Sequence, residues 1–200
     1  MRKYHEAFFI VNRLGQVVLI LSTLLASWLG MQLVHELGHV LGAWLTGGEV
    51  KQVVWHPLTI SRTDLASNPE PLIVVWAGPV VGVLFPLLLW FIAHLMQTAA
   101  AFVWRFFAGF CLIANGAYLG FGSFERIGDC GEMLQHGSPI WMLWLFGLLT
   151  IPLGFMLWNR QAAAFGIGKQ ARMIERNVVW QSALAAVILL TLSIAFGAES

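Results

Sequence analysis

The sequence predicts an all-α polytopic membrane protein of about five transmembrane helices, with a short β-hairpin after the first. Two observations carry this. Apolar residues make up 58% and charged residues 10% of the 200-residue chain, whereas a soluble domain holds about half and about a quarter. The apolar residues also fall into several runs near or above the ~20 residues that a helix needs to cross hydrocarbon. The formal net charge is +1 with no basic cluster, which excludes a nucleic-acid surface and leaves the cations to set topology. Only Cys111 and Cys130 are present, so no disulfide framework defines the fold.

The spans predicted are residues 16–46, 71–96, 100–122, 139–158 and 178–197, all helical because lipid offers backbone polar groups no partner. The basic, then apolar start "MRKYHEAFFIVNRLG" ends in no small-residue cleavage site and is expected to be a retained amphipathic lead-in to the first span. "QTAA" between spans two and three is short enough to make them an antiparallel pair. The connection after span one is long and polar, and its "VKQVVW" and "LTISRT" stretches around His56-Pro57 alternate as a strand pair does. The whole chain, 1–200, is expected to form one membrane-embedded domain, with core motifs at 33–132 and two additional helices at 139–197.

Trp44, Trp76, Trp104, Trp141, Trp158 and Trp180 lie near span ends, where indole rings favour the headgroup region. With the N-terminus in the cytoplasm, Arg2, Lys3, Arg13, Arg105, Arg160, Lys169, Arg172 and Arg176 fall inside and Lys51, Arg62 and Arg126 outside, as positive charge prefers. The C-terminal "GAES" then also lies outside.

The chemistry is concentrated in "QLVHELGHVLG" at 32–42, within span one. His35 and His39 are four residues apart, about 40° round a helix and about 6 Å along it, so both imidazoles leave one face and can reach one ion. Glu36 is rotated by about 100° and can approach a water beside that ion without ligating it. An ionised group at the centre of a span costs about 2.5 to 3.5 kcal/mol on insertion scales, so such groups are usually functional. Neutral imidazole suits zinc, and a catalytic zinc takes three protein ligands. Asp129 in "FERIGDCGEML" is the expected third, because span three returns the chain to the His39 side and Gly128 and Gly131 permit close approach. The competing role for Asp129 is to cap a helix starting at Cys130; Glu125, Glu132, His56 and Cys130 are the reserve ligands.

These motifs resemble the site-two protease family of intramembrane zinc metalloproteases. That family carries HELGH-type residues, here His35 to His39, with "GG" after them, here Gly47 and Gly48. Its next core helix carries "AGP" followed by a small residue or asparagine, here Ala77, Gly78, Pro79 and Gly82, and a later helix supplies an aspartate, here Asp129 in "GDCG". The family's "N-x-x-P" pattern ahead of the aspartate is absent: "GFGSFERIGD" stands there, and Asn115 lies fourteen residues upstream of Asp129. The likeness is nearest to the compact branch without PDZ or CBS domains. It implies a Zn2+ cofactor, a transmembrane protein substrate and a bacterial-type cell membrane. It also implies an active site nearer the cytoplasm, opposite to the side that the charge distribution gives.

The expected activity is hydrolysis of peptide bonds in or near transmembrane segments, with zinc on His35, His39 and Asp129 acidifying water and Glu36 taking the proton. A helical substrate must unwind to expose its carbonyls, and the strand pair after span one offers an edge that can receive it. One alternative is a non-catalytic membrane scaffold that binds helices without cutting them, although a scaffold needs no base at Glu36. The other is a membrane metal carrier, which would need a path of further ligands that the sequence does not supply.

Overall fold

The computed structural model describes the backbone of residues 2–197 and the side chains from Arg13 onward. The amphipathic character expected of the lead-in, the charges of Arg2 and Lys3, and residues 198–200 of the C-terminal segment lie outside these described residues. The elements are α1 (Arg2–Leu45), β1 (Glu49–Val54), β2 (Arg62–Ser67), α2 (Pro71–Leu95), α3 (Ala101–Glu125), α4 (Gly128–Gln135), α5 (Ile140–Trp158) and α6 (Arg176–Gly197). Five of these helices are long and apolar enough to span a membrane, over Arg13–Leu45, Pro71–Leu95, Ala101–Glu125, Ile140–Trp158 and Arg176–Gly197.

Within the bundle, α1 packs between α2 and α6, α2 continues onto α3, and α3 packs most extensively on α5. The last seam is built on glycine. A Cβ at Gly154 would lie 2.8 Å from the Gly109 carbonyl and one at Gly147 would lie 2.8 Å from that of Gly116. In lipid, where burying apolar surface between helices gains little, such close backbone approach is what holds two helices together. Trp76 and Trp158 are turned inward rather than serving only as surface anchors: their indole N–H groups donate to Ser138 Oγ at 2.7 Å and to the Phe106 carbonyl at 2.9 Å.

α1 ends where glycine allows it to. Gly47 has φ +76°, and Gly48 N–H donates to the Ala43 carbonyl at 2.7 Å, the helix-terminating pattern that needs a left-handed residue. The chain then enters an antiparallel hairpin with Val53 opposite Thr63 and Val54 opposite Arg62. The second strand begins at Arg62, four residues later than "LTISRT" suggests. His56 and the turn at Pro57 and Leu58 occupy the connection, because proline fixes φ and has no N–H for the ladder.

Candidate metal centre

α1 carries His35, Glu36 and His39, with exposures of 8%, 3% and 6%, which is deep burial for polar groups and calls for partners. Close helix packing creates the space. A Cβ added at Gly38 would meet the Ala77 carbonyl and lie 2.7 Å from Gly78 Cα, while one at Gly78 would run into the His39 ring. The "HELGH" and "AGP" stretches are therefore two sides of one contact: glycine on α1 admits the α2 backbone, and glycine on α2 admits the imidazole.

Each ring is oriented from behind. His35 Nδ1 donates to Asn115 Oδ1 at 2.7 Å, and the Asn115 amide is itself fixed by donating to the Cys111 carbonyl at 2.9 Å. His39 Nδ1 donates to the Val74 carbonyl at 2.9 Å. With both Nδ1 atoms protonated, the Nε2 atoms are bare acceptors, and they face each other at 3.1 Å. Asp129 Oδ2 completes the triangle, 2.8 Å from His35 Nε2 and 3.3 Å from His39 Nε2.

Burial alone would push the Asp129 carboxyl up, and protonating either facing imidazole outweighs burial and holds it well below the usual carboxylate range. Three electron-pair donors, one of them an anion, thus converge with no proton assigned among them by the groups behind the rings. A bound metal ion or a shared proton would each hold such a group together. Their spacings of 2.8 to 3.3 Å are a few tenths of an ångström shorter than the about 3.3 to 3.6 Å between ligand atoms in a tetrahedral centre with bonds near 2.0 to 2.2 Å, so a bound ion would move them slightly apart. Among the described residues, His35, His39 and Asp129 are the His, Cys, Asp and Glu group that could hold a metal ion.

Asp129 arrives on α4, a two-turn helix. Gly128 at φ +55° lies against the Tyr118 hydroxyl, where a Cβ would collide, and a Cβ at Gly131 would lie 2.5 Å from the Arg126 carbonyl. The residue preceding the helix is Ile127, and it makes no side-chain cap. Asp129 sits in the first turn and turns its carboxylate to the imidazoles instead of capping the helix. The reserve ligands are engaged elsewhere. Glu132 pairs with His136 at 3.4 Å, His56 Nδ1 accepts from Leu58 N–H in the hairpin turn, and Glu125 is exposed at the end of α3. Burial, then the neighbouring Asp129 charge, pushes the Cys130 thiol up to about 11, and its Sγ–H donates to the Tyr118 carbonyl at 3.4 Å. Both cysteines are free and buried.

Glu36 points to a different neighbour. Its Oε2 accepts from Thr63 Oγ–H on β2 at 2.7 Å. The three donors, Glu36 and β2 all line one cavity of about 1360 Å³ that opens between α1, the hairpin, α2, α3 and α4. Residues 62–65 border it while β1 does not, so the hairpin offers the cleft its second strand. Sequence reasoning missed Thr63, Asn115 and the Val74 carbonyl as parts of this site. Asn115 had a signal, being an amide in the middle of an apolar span, where a polar side chain usually marks a functional site.

The sequence matches the family described as Peptidase M50B-like over residues 7–117. The match covers more than half of the chain, takes in the histidine motif, the "AGP" stretch and Asn115, and ends before Asp129. No curated protein and no solved structure matches. With five helices of membrane-spanning length and this match, the chain is an integral, multi-pass membrane protein belonging to the Peptidase M50B-like family, within the site-two protease group of metallopeptidases.

Proposed function

We propose that this protein is an intramembrane zinc endopeptidase that cuts transmembrane protein substrates. The observation that supports it most directly is the convergence of two bare Nε2 atoms and the Asp129 carboxylate beside a fourth group, Glu36, that stays out of the triangle. Zinc held by His35, His39 and Asp129 would supply a Lewis acid that acidifies water and polarises a carbonyl. Glu36 accepts the proton of the attacking water at its carboxylate and returns it to the leaving amine. Thr63 binds Oε2 and so leaves Oε1 to face the reaction. An extended substrate segment would lie along the free edge of β2, its backbone paired by Arg62–Leu65 of that strand. The asymmetry of lysine and arginine supports a cytoplasmic N-terminus.

The test is zinc content and cleavage on one set of proteins. Purified in detergent, the wild type is expected to carry one zinc per chain and to cut members of a panel of transmembrane peptides. His39→Ala and Asp129→Ala are each expected to lose most of the metal and all measurable cleavage. A wild type that binds zinc and cuts nothing would favour the scaffold, and full zinc occupancy in Asp129→Ala would remove the third ligand from this reading.

A smaller effect is expected at the hairpin. Thr63→Val keeps the side-chain shape but removes the hydrogen bond to Glu36. A hydrogen bond to a charged group contributes roughly 1.5 to 3 kcal/mol, so kcat should fall on the order of tenfold with zinc content unchanged.

A further inference from the structure

Acyl transfer builds negative charge on the former carbonyl oxygen, and a neutral donor already aimed at that oxygen is among the largest contributions a protein makes to such a reaction. The Asn-x-x-Pro stretch that would be expected ahead of Asp129 is replaced here by "GFGSFERIGD". Asn115 cannot substitute for it: this amide is 1% exposed and committed to His35 on one side and Cys111 on the other. Thr63 is likewise committed to Glu36.

Tyr118 is placed differently. It lines the cleft, and its ring stands edge-on to the His35 ring with centroids 5.9 Å apart. Its oxygen accepts the Asp129 backbone N–H at 3.0 Å. The ring is thus held beside His35 and the hydroxyl beside the backbone of Asp129, and because the latter contact uses an oxygen lone pair, the hydroxyl proton remains available. No acceptor for this proton is present among the described residues. Gly128, at φ +55° directly against the hydroxyl, keeps the position clear of any side chain. Glu36 is braced from the hairpin and Tyr118 stands on α3, and both line the cleft that holds the donor triangle.

We infer that Tyr118 is a catalytic residue, whose hydroxyl donates a hydrogen bond to the oxyanion that develops on the substrate carbonyl. The assignment rests on the endopeptidase reading above. The tyrosine keeps its proton throughout; no bond to it forms or breaks, and the hydrogen bond strengthens as charge collects on the substrate oxygen.

The experiment compares wild type and Tyr118→Phe as purified full-length chains in detergent, using a transmembrane peptide that the wild type cuts. Removing one such donor lowers kcat by about 10² to 10³, and this is the expected loss, with KM within about threefold. Zinc per chain, read by atomic absorption, should equal that of wild type. Affinity for a phosphinate analogue of the same peptide, whose tetrahedral centre mimics the charged oxygen, should weaken by a similar factor in a displacement assay.

An unchanged kcat, or an unchanged phosphinate affinity, would overturn the assignment. So would a loss of activity restored by added zinc, because the hydroxyl would then only position Asp129. If the wild type holds zinc and cuts nothing, the endopeptidase reading falls and takes this assignment with it. If the wild type cuts and Tyr118→Phe matches it, the assignment falls alone.

Discussion

Glu36→Gln is expected to abolish cleavage, by at least about 10³-fold in kcat, while zinc remains bound at the wild-type level. The general-base contribution alone accounts for about 10² to 10⁴. The amide keeps the volume of the carboxylate and can still meet Thr63 on β2, so the 2.7 Å contact that orients the residue need not be lost. What disappears is the capacity to take a proton. Because the Glu36 side chain is directed to Thr63 rather than into the triangle of His35, His39 and Asp129, metal occupancy should not follow the loss of activity. Steady-state cleavage of a transmembrane peptide, alongside atomic absorption on the same preparation, reads both quantities. Loss of zinc in this variant would instead make Glu36 a ligand, and unchanged activity would remove it from the reaction.

Gly78→Val is expected to empty the metal site without replacing any ligand. A Cβ at this position runs into Cε1 and Nε2 of His39, and the ring has nowhere to go, since its Nδ1 is held by the Val74 carbonyl and Gly38 presses on the α2 backbone beside it. Zinc affinity should fall by tenfold or more, with helix content by circular dichroism close to wild type. Overpacking costs typically 1 to 3 kcal/mol, so a lower melting temperature is also expected. Gly120→Ala is the matched control. Its Cβ would make ordinary contact, 3.6 Å from Gly147 Cα, so zinc content there should not change.

How much of this could be read from the sequence depends on the distance over which each feature is encoded. The spans were legible to within a few residues, because hydropathy is a local property and lipid enforces helix wherever it is sustained. The pairing of His35 with His39 was legible for the same reason, being a consequence of helical pitch. Asp129 required one further step, counting spans to find which loop returns to the His39 end; its carboxylate does stand beside both imidazoles, because "QTAA" leaves spans two and three no choice but to run antiparallel. The contacts that orient the histidines were not legible. Asn115 lies eighty residues from His35 and Val74 thirty-five from His39, and which polar group stands behind a ring depends on how α2 and α3 settle against α1. The hairpin was visible as alternation, but its second strand begins at Arg62 rather than Leu58, because His56-Pro57 and the turn there take up the connection.

α1 is much longer than a bilayer requires. Its apolar stretch, Arg13–Leu45, has 33 residues, or about 50 Å at 1.5 Å per residue, against about 30 Å of hydrocarbon. Absorbing the whole excess by leaning would need roughly 53°, beyond the 0 to 40° seen for membrane helices. The surplus is accounted for at one end. Gln16 Nε2 donates to the carbonyls of Phe165 and Gly166, and Leu19 packs on Phe165 and Val178, so the connection between α5 and α6 wraps this end of α1. Counting from Leu19, His35 is about 24 Å and His39 about 30 Å further along the axis, so the wrapped end of α1 and its histidines stand well apart along the bundle. The contacts that Gln16 makes with the connection between α5 and α6 thus fix α1 lengthwise, and with it the height at which the histidines meet Asp129.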